Sequence, residues 1–276
     1  MEREAIAVVA VDLDGTLLRS DGTVSARTIA ALRRCRDSGI KTVIATGRRR
    51  RSAAAVLPKE VESEAWVCHS GAEVYTDDRC IFREPLSPEL ARQIARWIEA
   101  NHPDCTLSVE VDGELLANRA LGGPLDYRLA RLSEAISEPP ANVVVESARA
   151  NDLCSIDANL PPGCKMLVTD DGRFGLIMAS TVSKAAALRH LVDEWGLSLA
   201  QVIAFGNDTN DIEFIAECGI GVAMGNAIPE AKRVADLVTL SNDEDGIAEV
   251  LEALLEDRAR WAPRCAGAMP GKGGRT

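Results

Sequence analysis

The sequence predicts an α/β protein: a doubly wound, mostly parallel Rossmann-like core sheet carrying an inserted α+β cap domain. Three observations predict it. Residues 6–11 are a continuous apolar, partly β-branched run that leads directly into Asp12-Leu13-Asp14-Gly15-Thr16, the pattern of a strand buried on both faces and opening into a polar loop. Strand-like and helix-like segments alternate up to about residue 86 and resume near residue 179, as in a parallel sheet with crossover helices. Between them the rhythm breaks, and Asp112-Gly113 and Asp170-Asp171-Gly172 mark antiparallel hairpins. The domains are therefore drawn as 1–86 with 179–257 for the core and 87–178 for the cap. The remainder, 258–276, dissolves into Ala, Gly, Pro, Lys and Arg and is expected to be a disordered tail with an exposed Cys265.

The elements follow in order. Ser25 is placed to cap a helix carrying Ile29, Ala30 and Leu32, and Gly39 ends it. Residues 40–45 form the second strand and lead into Thr46-Gly47-Arg48. A helix beginning near there would aim free backbone N–H groups at the strand end. The arginine run 48–51 reads as a solvated helix face. Residues 66–69 read as a third strand, and 72–75 with 79–82 as a hairpin around Asp77-Asp78. In the insert, Ser87-Pro88 opens an amphipathic helix with Leu90, Ile94, Trp97 and Ile98 on one face. Residues 106–111 and 114–117 pair around Asp112-Gly113, a polar helix covers part of 124–136, and 142–146 is a strand. The segment up to Leu160 carries no clear pattern, and 165–169 pairs with 174–179. Ser183 then caps a helix. Residues 201–205 form a strand that empties into Gly206-Asn207-Asp208-Thr209-Asn210-Asp211, and a helix, two short strands, the Pro229 helix and a closing helix at 247–255 complete the chain.

Composition narrows the function. Of 276 residues 46% are hydrophobic, enough for a proper core, and a formal net charge of -11 argues against a general nucleic-acid binder. Eight cysteines show no Cys-x-x-Cys pair and no zinc-type Cys/His cluster, so buried free thiols in a reducing, cytoplasmic setting are expected. The N-terminus lacks a basic segment followed by an apolar signal core, and no apolar run has membrane-spanning length. His69 reads as a structural histidine, His102 and His190 as surface or helix-end residues. Asp126, Tyr127 and Arg128 read as a polar helix surface.

Three strands thus end in polar loops, and Lys184 lies in the first turn of the helix after the insert. In a parallel sheet these carboxyl ends share one side and converge on one cleft. Its acids would repel one another by about 4 kcal/mol per pair at 4 Å and an effective dielectric near 20. A divalent cation relieves this, and oxygen-only ligands favour Mg²⁺. A carboxylate there can attack phosphorus, while a second carboxyl group protonates the leaving oxygen and then activates water. Thr46 and Lys184 can hold the phosphoryl oxygens.

With these segments together, the chain resembles the haloacid dehalogenase superfamily of phosphohydrolases, and most closely the Cof-type sugar-phosphate phosphatases with a type IIB cap. The motifs are Asp12-Leu13-Asp14-Gly15-Thr16, Ala45-Thr46-Gly47-Arg48, Ser183-Lys184, the loop 206–213, and Gly221-Val222-Ala223-Met224-Gly225-Asn226-Ala227. The resemblance implies Mg²⁺-dependent hydrolysis of a small phosphorylated metabolite, with no nucleic acid or membrane partner, by a monomer or homodimer. It implies Asp12 as nucleophile and metal ligand, Asp14 as general acid and base with its carbonyl on the metal, and Thr46, Gly47 and Lys184 around the phosphoryl group. Asn207 would complete the metal site, Asp211 would sit in the metal's inner or second shell, and Asn210 and Asn226 would line the phosphate site. The cap is expected to exclude water and choose the leaving group. One position departs from the pattern: Asn207 stands where the family usually carries Asp, which predicts weaker magnesium binding unless Asp208 compensates. Ser70 stands where many relatives carry Asn. Two rival readings use the same residues: a phosphotransferase or mutase, and a phosphometabolite-binding protein without turnover.

Overall fold

The computed structural model describes residues 5–122, 125–169, 172–257 and 261. The expected disordered tail, with Cys265, and the Asp170-Asp171 hairpin tip lie outside the described residues, Trp261 excepted. The chain forms two compact units, one built from residues up to Phe82 and from Ser183 onward, the other from Arg83–Val182.

The first unit is organised around β1 (Val8–Asp12), all five of whose residues are buried. Next come α1 (Ala26–Asp37), β2 (Lys41–Ala45), α2 (Arg50–Val56), β3 (Ala65–Cys68), β4 (Glu73–Thr76) and β5 (Arg79–Arg83). After the second unit the chain adds α6 (Lys184–Glu194), β12 (Val202–Gly206), α7 (Ile212–Glu217), β13 (Ile220–Ala223), α8 (Pro229–Val234), β14 (Leu237–Val238) and α9 (Gly246–Glu256). The eight-stranded sheet runs β14-β13-β12-β1-β2-β3-β4-β5. Every pair from β14 to β3 is parallel, and β4 returns antiparallel to β3. Alternate residues of β1 serve opposite faces. Val9 and Val11 pack with Leu32 of α1 and Leu251 of α9, whereas Val8 and Ala10 pack with Leu188 of α6 and Phe214 of α7. Each fully buried valine or isoleucine contributes about 1.5–3 kcal/mol, so two helical layers hold the central strand. The caps follow the sequence: Ser25 accepts from the Thr28 N–H and Ser183 from the Ala186 N–H.

The second unit contains α3 (Pro88–Asn101), β6 (Thr106–Val111), β7 (Glu114–Ala117), β8 (Arg128–Leu129), α4 (Leu132–Ala135), β9 (Val143–Glu146), α5 (Ala150–Ala158), β10 (Cys164–Thr169) and β11 (Phe174–Ala179). Its sheet order is β10-β11-β9-β6-β7-β8. The pairs are antiparallel except β7 with β8. One sheet face, with Leu107, Val109, Val143, Val145 and Ile177, packs on Ile94 and Ile98 of α3 and Ile156 of α5, and Trp97 lies against the same core. Two expectations are corrected. The polar helix over 124–136 shrinks to α4, because Arg128–Leu129 is drawn out as a strand beside Leu116 and Ala117. The unpatterned stretch before Leu160 holds the helix α5. Asp126, Tyr127 and Arg128 are therefore not a helix surface: Tyr127 accepts from the Leu121 N–H and Arg128 pairs with Glu114. Among the described residues no helix is long and apolar enough to cross a membrane.

Candidate active site

Sheet register brings the site residues together. Asp12 lies beside Ala45, and Val11 beside Phe205. The next residues outward from the two neighbouring strands are thus Thr46 on one side and Gly206-Asn207 on the other. Beyond Asp12 the chain coils through a tight turn closed by Leu18 N–H to the Leu13 carbonyl at 2.8 Å. Gly15 there has φ +73, and a Cβ on it would sit 2.6 Å from Asn207 Nδ2, so both the backbone angle and the close approach require glycine.

On the other side, Thr46 is fully buried. Its N–H donates to Val67 at 2.8 Å, and its hydroxyl accepts from the Arg48 N–H at 3.1 Å. The turn after β3 is strained: His69 and Ser70 have φ +50 and +57 in succession, ahead of Gly71 at +111. It is tied down by His69 N–H to the Arg48 carbonyl and Ser70 N–H to the Thr46 carbonyl, both 3.0 Å. A Cβ on Gly71 would lie 2.2 Å from the Ser183 carbonyl. The turn therefore packs directly on the first residues of α6 and positions Lys184. A Cβ on Gly47 would meet Ser70 Oγ at 3.4 Å and Asn210 Nδ2 at 3.8 Å, so Gly47, Ser70 and Asn210 share one small space beside Thr46. His69 lies 3.8 Å from the buried Glu73, in keeping with a structural histidine.

At the bottom of the site Lys184, 1% exposed, donates to Asp12 Oδ1 at 2.5 Å and to Asp211 Oδ1 at 2.7 Å. Asp211 Oδ2 accepts from the N–H groups of Asn207 and Asp208 at 2.9 and 3.0 Å. Two buried carboxylates thus share one ammonium. Burial first, and Asp211 second, push the Asp12 carboxyl up to about 7 despite Lys184. Burial alone would lower the Lys184 ammonium, but the two carboxylates outweigh it and hold its pKa above the ordinary value. The Asp14 carboxylate turns outward, where Arg48 clasps it with Nε at 2.8 Å and Nη2 at 2.6 Å. Arg48 is therefore not part of a merely solvated helix face. Nor is Arg50, whose guanidinium lies 4.5 Å from the Trp66 ring centre. Counting Asp12, Asp14 and Asp211 against Lys184 and Arg48 leaves one negative charge.

The donor set fits a hard cation. The end of the Asn207 side chain facing Asp12 lies 3.2 Å from Asp12 Oδ2, 2.9 Å from the Asp14 carbonyl oxygen and 2.8 Å from Thr16 Oγ1. As an oxygen, that atom joins a carboxylate and a carbonyl in an all-oxygen cluster suited to Mg²⁺. As the amide nitrogen, it donates to all three neighbours. Asp211, expected in the metal set, has both oxygens engaged by Lys184 and the loop backbone. Asp208 caps the following turn by accepting from the Thr209 N–H at 2.7 Å. Asn226 donates to the Gly15 carbonyl at 2.8 Å and accepts from the Asn242 N–H at 3.1 Å, so it clamps the first loop. Asp14, Arg48 and Asn226 also line a cavity of about 480 Å³ with Ser241, Asn242 and Asp243. Sequence reasoning missed the Arg48 clasp and the Thr16 hydroxyl. Their only signal was membership in the two strand-end motifs.

Known proteins carry the same organisation. The family model of the haloacid dehalogenase-like hydrolases matches residues 9–251. The stress response protein YhaX of Bacillus subtilis is 30% identical over 266 residues, covering 89% of this chain and 92% of its own. The 5-amino-6-(5-phospho-D-ribitylamino)uracil phosphatase YitU of the same organism is 29% identical over 261 residues, covering 89% of this chain and 96% of its own. The solved structure of the HAD subclass IIB sugar phosphatase BT4131 superposes with a TM-score of 0.75, covering 90% of this chain and 98% of that one; at 20% identity it speaks for the fold. The chain belongs to the haloacid dehalogenase-like hydrolase family. Within it, the chain is a Cof-type phosphatase with a Rossmann-like core and an inserted cap.

Proposed function

We propose that the chain hydrolyses small phosphate monoesters, sugar phosphates among them, with Mg²⁺ and through an aspartyl-phosphate. The observation that carries this reading is the buried Asp12 carboxylate, with one oxygen on Lys184 and the other 3.2 Å from the Asn207 side-chain end that also meets the Asp14 carbonyl oxygen. Asp12, the Asp14 carbonyl and Asn207 would hold the cation, which supplies positive charge against the acids and the phosphoryl oxygens. Asp211 acts by positioning Lys184 and the loop at 207–208.

Asp12 attacks phosphorus as the bond to the leaving oxygen breaks. Asp14, protonated from solvent once Arg48 lets it go, gives that oxygen a proton, then takes one from the water that cleaves the acyl phosphate, leaving free phosphate, the Asp12 carboxylate and Asp14 again as the acid. Arg48 must release Asp14 for this exchange, and the pair is exposed enough for that to cost little: the side chains are 36% and 52% accessible. Thr46, Gly47 and Asn210, with Lys184, surround the phosphoryl group. YitU is named for a substrate with a phosphorylated ribityl chain, which supports a small sugar-like monoester here. We assign 1–86 with 179–257 to catalysis and 87–178 to substrate choice, in a cytoplasmic enzyme.

The test is phosphate release by the full chain from a generic aryl phosphate and a panel of sugar phosphates, with and without Mg²⁺. Release from a single substrate without an acceptor, reduced about 1,000-fold or more in Asp12→Asn, is expected. Turnover only with an acceptor hydroxyl would make the chain a phosphotransferase. Phosphometabolite binding without turnover would make it a binding protein.

A further inference from the structure

The end of α3 in the second unit gathers a different set of donors. His102 caps that helix through its N–H to the Ile98 carbonyl at 2.8 Å. Its own carbonyl accepts from the Cys105 N–H at 3.0 Å, closing a short turn. The turn brings imidazole and thiol together just before β6. Asp152 enters from the first turn of α5. Its Oδ1 is 3.2 Å from His102 Nδ1 and its Oδ2 is 3.9 Å from Cys105 Sγ. One donor atom from each of the three residues lies within 4.8 Å of the others. The sequence shows no zinc-type cluster because His102-Pro103-Asp104-Cys105 is a single pair; the third donor comes from 47 residues further on.

The surroundings hold these side chains in place. Ser147 donates to Asp152 Oδ2 at 2.7 Å while accepting from the Arg149 N–H at 3.0 Å. The Trp97 ring lies against His102, centre to centre 5.5 Å. Cys105 is buried, whereas the His102 and Asp152 side chains keep 13% and 17% accessibility, which leaves an entry path. Metal–nitrogen and metal–sulfur bonds of about 2.0 and 2.3 Å put donors on tetrahedral corners roughly 3.3–3.6 Å apart. The 3.2 and 3.9 Å separations run to different Asp152 oxygens, and one donor atom from each residue lies within 4.8 Å of the others, so side-chain shifts that draw the three together bring them onto one ion.

We propose that His102 Nδ1, Cys105 Sγ and an Asp152 oxygen form a binding site for Zn²⁺ or a similar borderline-soft divalent ion. Water takes the fourth position. The thiol passes its proton to solvent as the ion binds, and the histidine keeps its proton on Nε2. Sulfur and imidazole select against Mg²⁺, which the all-oxygen cluster of the first unit favours. The ion ties the end of α3, the start of β6 and α5 to one point and stabilises the unit.

Metal-stripped full-length protein titrated with Co²⁺ tests this, because Co²⁺ reports a thiolate ligand by a near-ultraviolet charge-transfer band. The expected result is a single-equivalent band with tetrahedral visible absorption, displaced by Zn²⁺ and untouched by excess Mg²⁺. Cys105→Ser abolishes the band, and His102→Asn, which removes a direct donor, weakens Co²⁺ binding by at least the roughly 10–100-fold that loss of an outer-shell partner costs. Cys154→Ser, an exposed thiol on α5, leaves it unchanged. If Cys105→Ser does not fold by circular dichroism, His102→Asn and Asp152→Asn carry the test. The proposal is overturned if wild type shows no thiolate band at millimolar Co²⁺, or if the band survives loss of His102 and Asp152; the residues are then a hydrogen-bonded cluster only.

Discussion

The bottom and the rim of the candidate active site handle negative charge in different ways. At the bottom, Asp12 and Asp211 are buried and share the fully buried Lys184. At the rim, two residues along the chain from Asp12, Asp14 is half exposed and clasped by the partly exposed Arg48. Water screens the rim pair and competes for both partners, so it opens at little cost. The bottom has no such exchange: removing one partner strands a charge in a dry site. The contrast fits a division of labour in which a fixed carboxylate attacks phosphorus and a mobile one shuttles the proton.

The sharpest way to break this comparison is Lys184→Met. Buried pairs that lose one partner typically cost about 3–5 kcal/mol, and here two carboxylates lose the same cation. Denaturant unfolding should show a loss in that range, with phosphate release falling with it. Arg48→Met at the rim should cost below about 1 kcal/mol. Equal losses at the two positions would show that the burial contrast does not govern the site.

These positions also mark how far the sequence was legible. The strands nearest the site were readable because both faces of β1, β2 and β12 are covered, which demands continuous apolar runs. Their polar ends announced Asp12, Thr46 and Asn207, and the register then brought them together. Partner choice was less legible. Arg48 closes the second motif, yet nothing in the run 48–51 names its partner; the fold places it against Asp14. Asp211, expected in the metal's inner or second shell, spends its oxygens on Lys184 and two backbone N–H groups, partners set by the loop's coil. In the second unit, β8 is two residues long and exists only by pairing with β7. It has no pattern of its own to read. The His102, Cys105 and Asp152 cluster was invisible for the same reason: it depends on where α5 docks.

A middle-sized effect sharpens the comparison between the two clusters. Asn207 offers an amide where a carboxylate would bring a full charge to the all-oxygen cluster. Asn207→Asp should tighten Mg²⁺ binding by about tenfold or more, since an added anion at ligand distance strengthens a hard-cation site. Calorimetric titration of both proteins checks this without turnover. Equal affinities would mean that the Asp12 carboxylate and the Asp14 carbonyl already set the site's strength.

The smallest effect tests whether an ion pair of intermediate burial behaves like the bottom or the rim. Arg19, just past the first motif, bonds Asp245 at the head of α9 at 2.5 Å, with side-chain accessibilities of 30% and 20%. Asp245 has φ +61, a left-handed angle that asparagine also tolerates, so Asp245→Asn removes the charge without straining the turn. The Ser25 hydroxyl first, and Arg19 after it, hold the Asp245 carboxyl below its ordinary 3.8. A carboxyl with a depressed folded pKa contributes its stability in full above the unfolded value and loses it as pH falls through the folded one. Wild type should therefore exceed the variant by about 1 kcal/mol or less near neutral pH, with the gap closing below pH 3.8. Paired urea melts at pH 7 and pH 3 measure it. A gap of several kcal/mol would place this pair with the buried lysine, and one that grows in acid would reverse the assigned direction of the shift.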